Sequence, residues 1–397
     1  MNKHLSGWER HAIDLTGPQS HVLVMEPGVG SVTIGPASPG RKVDLAVAAD
    51  DRIDWHVFDP FRTGSDYPWP RFIHYTGGDA GLFDWTRGRS IEEATWVPML
   101  AGDRTIDARD SRIRTLRLCL TEPGGRLHLI LPDRSASPHF TLKLEGDLSR
   151  LSCEGVAPKY LTLAPTTRRH DADRPVELPA LGVLEQVERL TLWNDPLVQL
   201  VSLRGLARFA QLRSLTLRGD IADLDRLADH PQLTHLELRD MPDLRGLPPL
   251  ATWPDLDGFV AIDIDEDVGK RLRRELNARA RQRPFINHAR VAKLRKPEWW
   301  AHEYGRPFAA WPPRRAKIAH AAFDTAQAAI AAATSLADVE AAITDFAKRF
   351  NAMDGIETTE REALSDAVWQ LGRADAAMAL GVDDALALQW FDAAREY

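Results

Sequence analysis

Between residues 187 and 265, apolar side chains recur in a short, nearly fixed phrase. The segments VERLTLWND at Val187, LRSLTLRGD at Leu212, LTHLELRDM at Leu233 and LDGFVAIDI at Leu256 align with starts 25, 21 and 23 residues apart. Inside each phrase apolar and polar residues alternate, which is the pattern of a strand with one buried face. This predicts that Leu190 and Leu192, Leu215 and Leu217, and Leu236 and Leu238 point inward. Between the phrases, Leu203, Leu206, Ile221, Leu224, Leu227, Leu244, Leu247 and Leu250 supply further apolar contacts. A unit this short cannot bury its own apolar face, so the units must stack on one another.

The phrase and its period resemble the leucine-rich repeat. The resemblance implies a solenoid in which each unit gives one short parallel strand and one return segment. Residues between the leucines then face outward along a concave sheet in three files: Arg189, Ser214 and His235; Thr191, Thr216 and Glu237; Trp193, Arg218 and Arg239. A Trp beside stacked arginines has the composition of a protein-binding hot spot. The expected partner-binding residues are therefore Arg189, Thr191, Trp193, Thr216, Arg218, His235, Glu237 and Arg239. The competing reading is a solvated strand face whose arginines pair with Glu188, Glu237 or Asp240. Alternation alone leaves both open.

Shorter, irregularly spaced runs continue the alternation upstream: RIRTLRLCL at Arg112, GRLHLILPD at Gly125, FTLKLEGDL at Phe140, LSRLSCEGV at Leu148 and YLTLAPT at Tyr160. They extend the expected repeat region to 111–265. Residues 1–110 are rich in turns and aromatics, with strand-like runs KVDLAVAA and IDWHVFD, and Trp55, Trp69, Trp85 and Trp96 are expected to anchor a β-rich core. His56, His74 and Asp84 are the polar residues there that an enzyme would draw on, although no motif unites them.

Beyond residue 265 the period changes to that of helices. Residues 266–311 form a basic linker, of which VGKRLRRELNARA reads as an amphipathic helix with Val268, Leu272 and Leu276 inward. From Lys270 to Lys317 there are fifteen Lys or Arg against three Glu, a net +12 in a chain of net −7. Phosphate contacts from Arg273, Arg274, Arg281 and Arg283, with Phe285, Trp299, Trp300 and Trp311 for stacking, would make a nucleic-acid-binding module. The bland alternative is a helix face held against the acidic remainder of the molecule, and overall acidity favours it.

Residues 312–397 predict an antiparallel bundle. Pro312 and Pro313 open a helix with Ile318, Ala322, Ala326 and Ile330 at helical spacing; Ser335 with Asp338 resembles a capping box before Val339, Ile343, Phe346 and Phe350. Thr359 with Glu362 repeats the device before Leu364, Val368 and Leu371, and Asp383 opens a last helix bearing Leu386 and Trp390. KLRKPEWW, GRPFAAWP, GIETTERE and ALQWFDAAREY look similar to the helical C-terminal region of bacterial leucine-rich-repeat proteins, some of which are labelled gliding motility proteins. That resemblance implies a shared architecture and brings no activity with it. The expected fold is thus α/β: a leucine-rich-repeat solenoid with a β-rich N-terminal region and a helical C-terminal bundle.

Composition narrows the function classes. At 397 residues, 44% hydrophobic and 27% charged, the chain has length for two or three cores. Cys119 and Cys153 stand in apolar settings with no C-x-x-C, which argues against zinc ribbons and dithiol redox sites and fits a reducing cytoplasm. MNKHLSGWERHAIDL lacks the apolar run of a signal peptide, and no uncharged stretch reaches the roughly 18 residues of a membrane span.

Motifs of chemistry fail on particular residues. DIDEDVG places Asp263, Asp265 and Asp267 as a calcium loop would, but Val268 stands where that loop needs Gly and Arg274 where it needs Glu. His302 and Glu303 begin like a zincin helix, yet Arg306 occupies the second His position. EPGVGSVTIGPASPG has glycines without a Gly-Lys-Ser/Thr ending, and Ser31 lacks a nucleophile elbow. The expectation is a non-catalytic cytoplasmic binding protein with a protein partner, no cofactor, no metal and no membrane contact.

Overall fold

In the computed structural model, which describes residues 3–4, 9–26, 28–37, 43–165, 175–194, 200–308 and 311–397, the alternating segments become parallel strands. Parts of MNKHLSGWERHAIDL, EPGVGSVTIGPASPG and GRPFAAWP lie outside the described residues. Twelve strands make one sheet: β1 (Ser31–Gly35), β2 (Leu45–Ala46), β3 (Phe72–Gly77), β4 (Ile91–Pro98), β5 (Ile113–Leu120), β6 (Thr141–Gly146), β7 (Tyr160–Pro165), β8 (Arg189–Trp193), β9 (Ser214–Arg218), β10 (His235–Met241), β11 (Gly258–Asp265) and β12 (Ala289–Arg295). From β3 to β12 each strand bonds its sequence neighbour, with β1 beside β3 and β2 at the edge beside β1. All eleven pairings are parallel.

Parallel neighbours need a crossover between them. Here the crossovers are tight turns such as Leu203–Arg208 and Leu224–Asp229, together with the strands of two smaller parallel sheets. One smaller sheet joins Arg104–Asp107, Leu127–Ile130 and Leu151–Glu154; the other joins Val176–Glu177, Val201–Ser202 and Ile221–Ala222. Glu9–Ile13 and His21–Met25 pair antiparallel.

The core follows from the register. Leu161, Leu190, Leu215, Leu236 and Phe259 form one buried line, and Leu163, Leu192, Leu217, Leu238 and Ala261 a second. Each fully buried Leu contributes about 2 kcal/mol of transfer free energy. The apolar residues of the crossovers, Leu203, Leu206, Ile221, Leu224, Leu227, Leu244, Leu247 and Leu250, are buried as the spacing predicts.

The expected fold is corrected at this point. A leucine-rich-repeat solenoid between a β-rich region and a bundle is not the architecture observed; the strands form one twelve-stranded parallel sheet, with smaller sheets and several helices, in an α/β arrangement. The repeated letters mark only part of that sheet. Its successive strand starts lie as close as 14 residues (Ser31 to Leu45) and as far apart as 31 (Gly258 to Ala289). Of the five irregular upstream runs, three become β5, β6 and β7, whereas GRLHLILPD and LSRLSCEGV supply strands of a smaller sheet.

Four tryptophans of the first hundred residues are core anchors. Trp55, Trp69, Trp85 and Trp96 are all buried, and each indole N–H finds an oxygen: Asp79 Oδ2 at 3.3 Å, Val29 O at 2.9 Å, Asp59 Oδ1 at 2.8 Å and Gly77 O at 2.9 Å respectively. IDWHVFD does not form the expected strand. Asp54 accepts a hydrogen bond from the His56 N–H and starts a tight turn over Trp55–Phe58.

Two compact units divide the molecule, one up to Pro36 and over Val43–Trp300, the other chiefly Ala301–Tyr397. Helix α1 (Glu266–Gln282) belongs to the first. Asp265 caps it by accepting from the N–H groups of Asp267 and Val268, and Leu272 and Leu276 are buried. Gly269 permits its close approach to the sheet, since a Cβ there would stand 2.2 Å from Leu294 Cδ2 on β12.

The second unit comprises α2 (Pro313–Ala331), α3 (Leu336–Lys348), α4 (Thr358–Gly372), α5 (Asp375–Ala379) and α6 (Asp384–Ala394). Ser335 and Asp338 form the predicted capping box of α3. Two expectations are corrected. In α2 the buried face is Ala319, Phe323, Ala326 and Ile330, while Ile318 is 56% exposed. In α4 the reciprocal contact lies two residues earlier than predicted, where the Glu360 carboxylate accepts from the Glu357 N–H at 3.3 Å.

Candidate interaction face

Because side chains alternate across a sheet, burying the leucine lines turns the intervening residues outward. Backbone register sets Arg189 beside Ser214 and His235, Thr191 beside Thr216 and Glu237, and Trp193 beside Arg218 and Arg239. All eight residues expected to bind a partner therefore share one face. Trp193 is 39% exposed, and the Arg218 guanidinium lies 4.6 Å from its ring centroid. One strand earlier, Tyr160 on β7 is also 39% exposed; the Arg189 guanidinium lies 5.1 Å from its centroid and donates to Tyr160 Oη at 3.0 Å.

The arginines also have the carboxylate partners of the solvated reading. Arg218 Nε pairs with Asp240 at 2.8 Å, and Arg239 pairs with Glu237. Such part-exposed pairs are worth roughly 0–1 kcal/mol. They align the guanidinium groups over the face at little energetic cost to a later exchange of partner.

The middle file is flat. Thr162, Thr191 and Thr216 follow one another in register and lead to Glu237, so short β-branched residues lie between the aromatic and arginine side chains. His235 is fixed at the border. Asn287 Nδ2 lies 3.0 Å from its Nε2 and Thr234 Oγ1 3.0 Å from its Nδ1. Its ring lies against Gly258 on β11, where a Cβ would come within 2.6 Å of His235 Cδ2.

The same face continues over strands that carry none of the predicted residues. Phe72, Glu93, Thr115 and Thr141 stand in the file of Tyr160 and Arg189. Arg117 and Lys143 continue the threonine file and meet Glu145 at 2.7 Å and Glu93 at 3.2 Å. The signal for Lys143, Glu145 and Tyr160 is present in FTLKLEGDL and YLTLAPT as polar positions between leucines. Phe72 and Glu93 carry no such mark, because their strands bury Tyr75, Trp96 and Ala94 in place of leucines.

The other candidates are dispersed. Arg283 pairs with Asp255 and Asp257, and Arg273 donates to the Val291 carbonyl at 3.3 Å. Arg271, Arg279 and Arg295 are likewise engaged with Leu247 O, with Trp253 O, Pro254 O and Leu256 O, and with Asp263. Among the described residues Arg274 and Arg281 are exposed and have no side-chain partner. His56 is bound to Asp59 at 2.9 Å, Asp84 to Arg87 at 2.9 Å, and His74 lies in the middle file of the sheet beside Thr33 and Thr95. Asp263, one member of the calcium-like pattern, is held by Arg295 and Lys293, and Asp265 is a helix cap.

Both thiols are free, and burial pushes Cys119 and Cys153 up to about 12. Among the described residues no helix is long and apolar enough to cross a membrane. Comparison with family models, curated proteins and solved structures finds no match to this chain.

Proposed function

We propose that the chain is a non-catalytic, cytoplasmic binding protein that takes a protein partner on the outward face of its parallel sheet. The observation that carries this reading is the pairing of exposed aromatic rings with stacked guanidinium groups in the two files that flank the threonine file, Tyr160 with Arg189 and Trp193 with Arg218. Trp, Tyr and Arg are the residues that dominate the energetics of protein interfaces. The flat threonine file between them offers a surface on which a partner can pack, and the buried leucine lines hold that surface rigid. Two protonated thiols suit a reducing compartment.

The test is affinity capture with the full chain after nuclease treatment, comparing wild type with Trp193→Ala/Arg218→Glu. A protein recovered by wild type should fall by at least about tenfold in the variant, the loss expected for a hot-spot pair. Its addition should also slow amide exchange in β8–β10. Equal recovery by both chains would show that the binding face lies elsewhere.

A further inference from the structure

Two recesses meet at the N-terminal ends of the strands. One, of about 350 Å³, includes Arg134, His139, Lys159, Glu188 and Arg189; the other, of about 480 Å³, includes Glu93, Arg114, His139, Lys159 and Tyr160. His139 and Lys159 line both, so the two form one trough. In the larger recess Tyr160 stands between two cations, with the Lys159 ammonium 5.7 Å and the Arg189 guanidinium 5.1 Å from the ring.

The charge of the trough is unbalanced. Its acidic residues in the larger recess are already neutralised from outside, Glu92 by Arg71 and Glu93 by Lys143. Arg114, Arg134, Lys159 and Arg189, by contrast, have no carboxylate partner among the described residues, and Glu188 is the carboxylate that remains beside them. Among the described residues the hydrogen-bond partner of the Lys159 ammonium is His139 Nδ1, at 3.4 Å. Pro132, Pro138 and Pro158 line the smaller recess, and their fixed backbone torsions limit what must be ordered on binding.

We infer that this trough binds an acidic, extended segment of the protein partner, its carboxylates meeting Arg114, Arg134, Lys159 and Arg189 while its backbone crosses Tyr160. The inference rests on the proposed function and names the chemistry of the partner. Length favours a peptide over a small anion. The lining runs from Phe72 on β3 to Arg189 on β8, five inter-strand steps or about 24 Å. An extended chain covers that distance with about seven residues.

The experiment is fluorescence anisotropy of the full chain with a labelled Glu-Gly repeat peptide, with a Gln-Gly peptide as the neutral control and inorganic phosphate as a competitor. Saturable binding of the Glu peptide is expected, weakened at least about tenfold by replacing Glu with Gln or by Lys159→Glu or Arg134→Glu, both at exposed positions. Raising the salt from about 0.05 to 0.5 M should weaken it as well. Trp193→Ala should leave the peptide affinity within about twofold, because sites without shared partners act independently. Absence of binding, equal affinity for both peptides, insensitivity to Lys159→Glu, or displacement of the peptide by phosphate at equimolar concentration would overturn the inference. A partner captured through Trp193 by a chain that ignores the Glu peptide would leave the proposed face standing and remove only the acidic segment.

Discussion

His230 shows how one buried polar residue makes stability depend on pH. It closes the turn after Leu224–Asp229, is 2% exposed, and has its imidazole pKa lowered from 6.5, chiefly by burial, although the Leu206 carbonyl and Asp229 act in the opposite direction. The folded state therefore holds this side chain neutral, while the unfolded chain binds the proton more readily. Its contribution is complete above the unfolded value and is lost as pH falls below it. Urea midpoints measured between about pH 7 and pH 5 should decline more steeply for wild type than for His230→Gln, since only the former gains a proton on unfolding. Parallel slopes would mean that His230 takes up its proton at the same pH in the folded and the unfolded chain.

At the scale of the element, legibility depended on contrast. The lines of leucine in β8, β9 and β10 and the three outward files could be placed from the letters, because large apolar and polar residues alternate without ambiguity. In α2 the run AKIAHAAFDTAQAAI is dominated by alanine, which is small enough to sit on either face; the phase was therefore set by Phe323, and Ile318 turned outward. IDWHVFD carries an alternating pattern that the Asp54 side chain overrides. The cap of α3 was readable because Ser335, Asp338 and the apolar residues after them agree. Ser335→Ala should lower the stability of the helical unit by about 1 kcal/mol, measured as a shift in the urea midpoint of its helical signal. No shift would show that Asp338 alone, through the Thr334 and Ser335 N–H groups, sustains the helix start.

For the whole molecule, the decisive fact hidden from the sequence was membership of one sheet. β3 and β4 bury Tyr75, Ala94 and Trp96 where later strands bury leucines, so nothing in their spelling ties them to the repeated phrase. Likewise the trough around Tyr160 gathers Arg114, Arg134, His139, Lys159 and Arg189 from segments spread over some seventy-five residues, a proximity that only the parallel register creates. Each unit also has its own apolar cluster, one ending at Leu276 and the other beginning at Phe308. Phe346 is packed against Phe308, Phe323 and Phe350 in the second. Phe346→Ala should cost that unit about 3–5 kcal/mol while amide exchange in β8–β10 stays at the wild-type rate. Faster exchange in those strands would reveal that the two cores melt together.

The strict alternation of Leu215, Thr216, Leu217 and Arg218 along β9 has a consequence for how such a molecule can diversify. Mutations at Thr216 or Arg218 rewrite the outward chemistry of a single rung and leave the leucines beneath them untouched, so inherited variation in the surface the sheet presents is uncoupled from variation in whether the chain folds. A lineage can thus change that surface one rung at a time. The residues that would record that change are the outward ones, and the leucines between them would record only the requirement to remain folded.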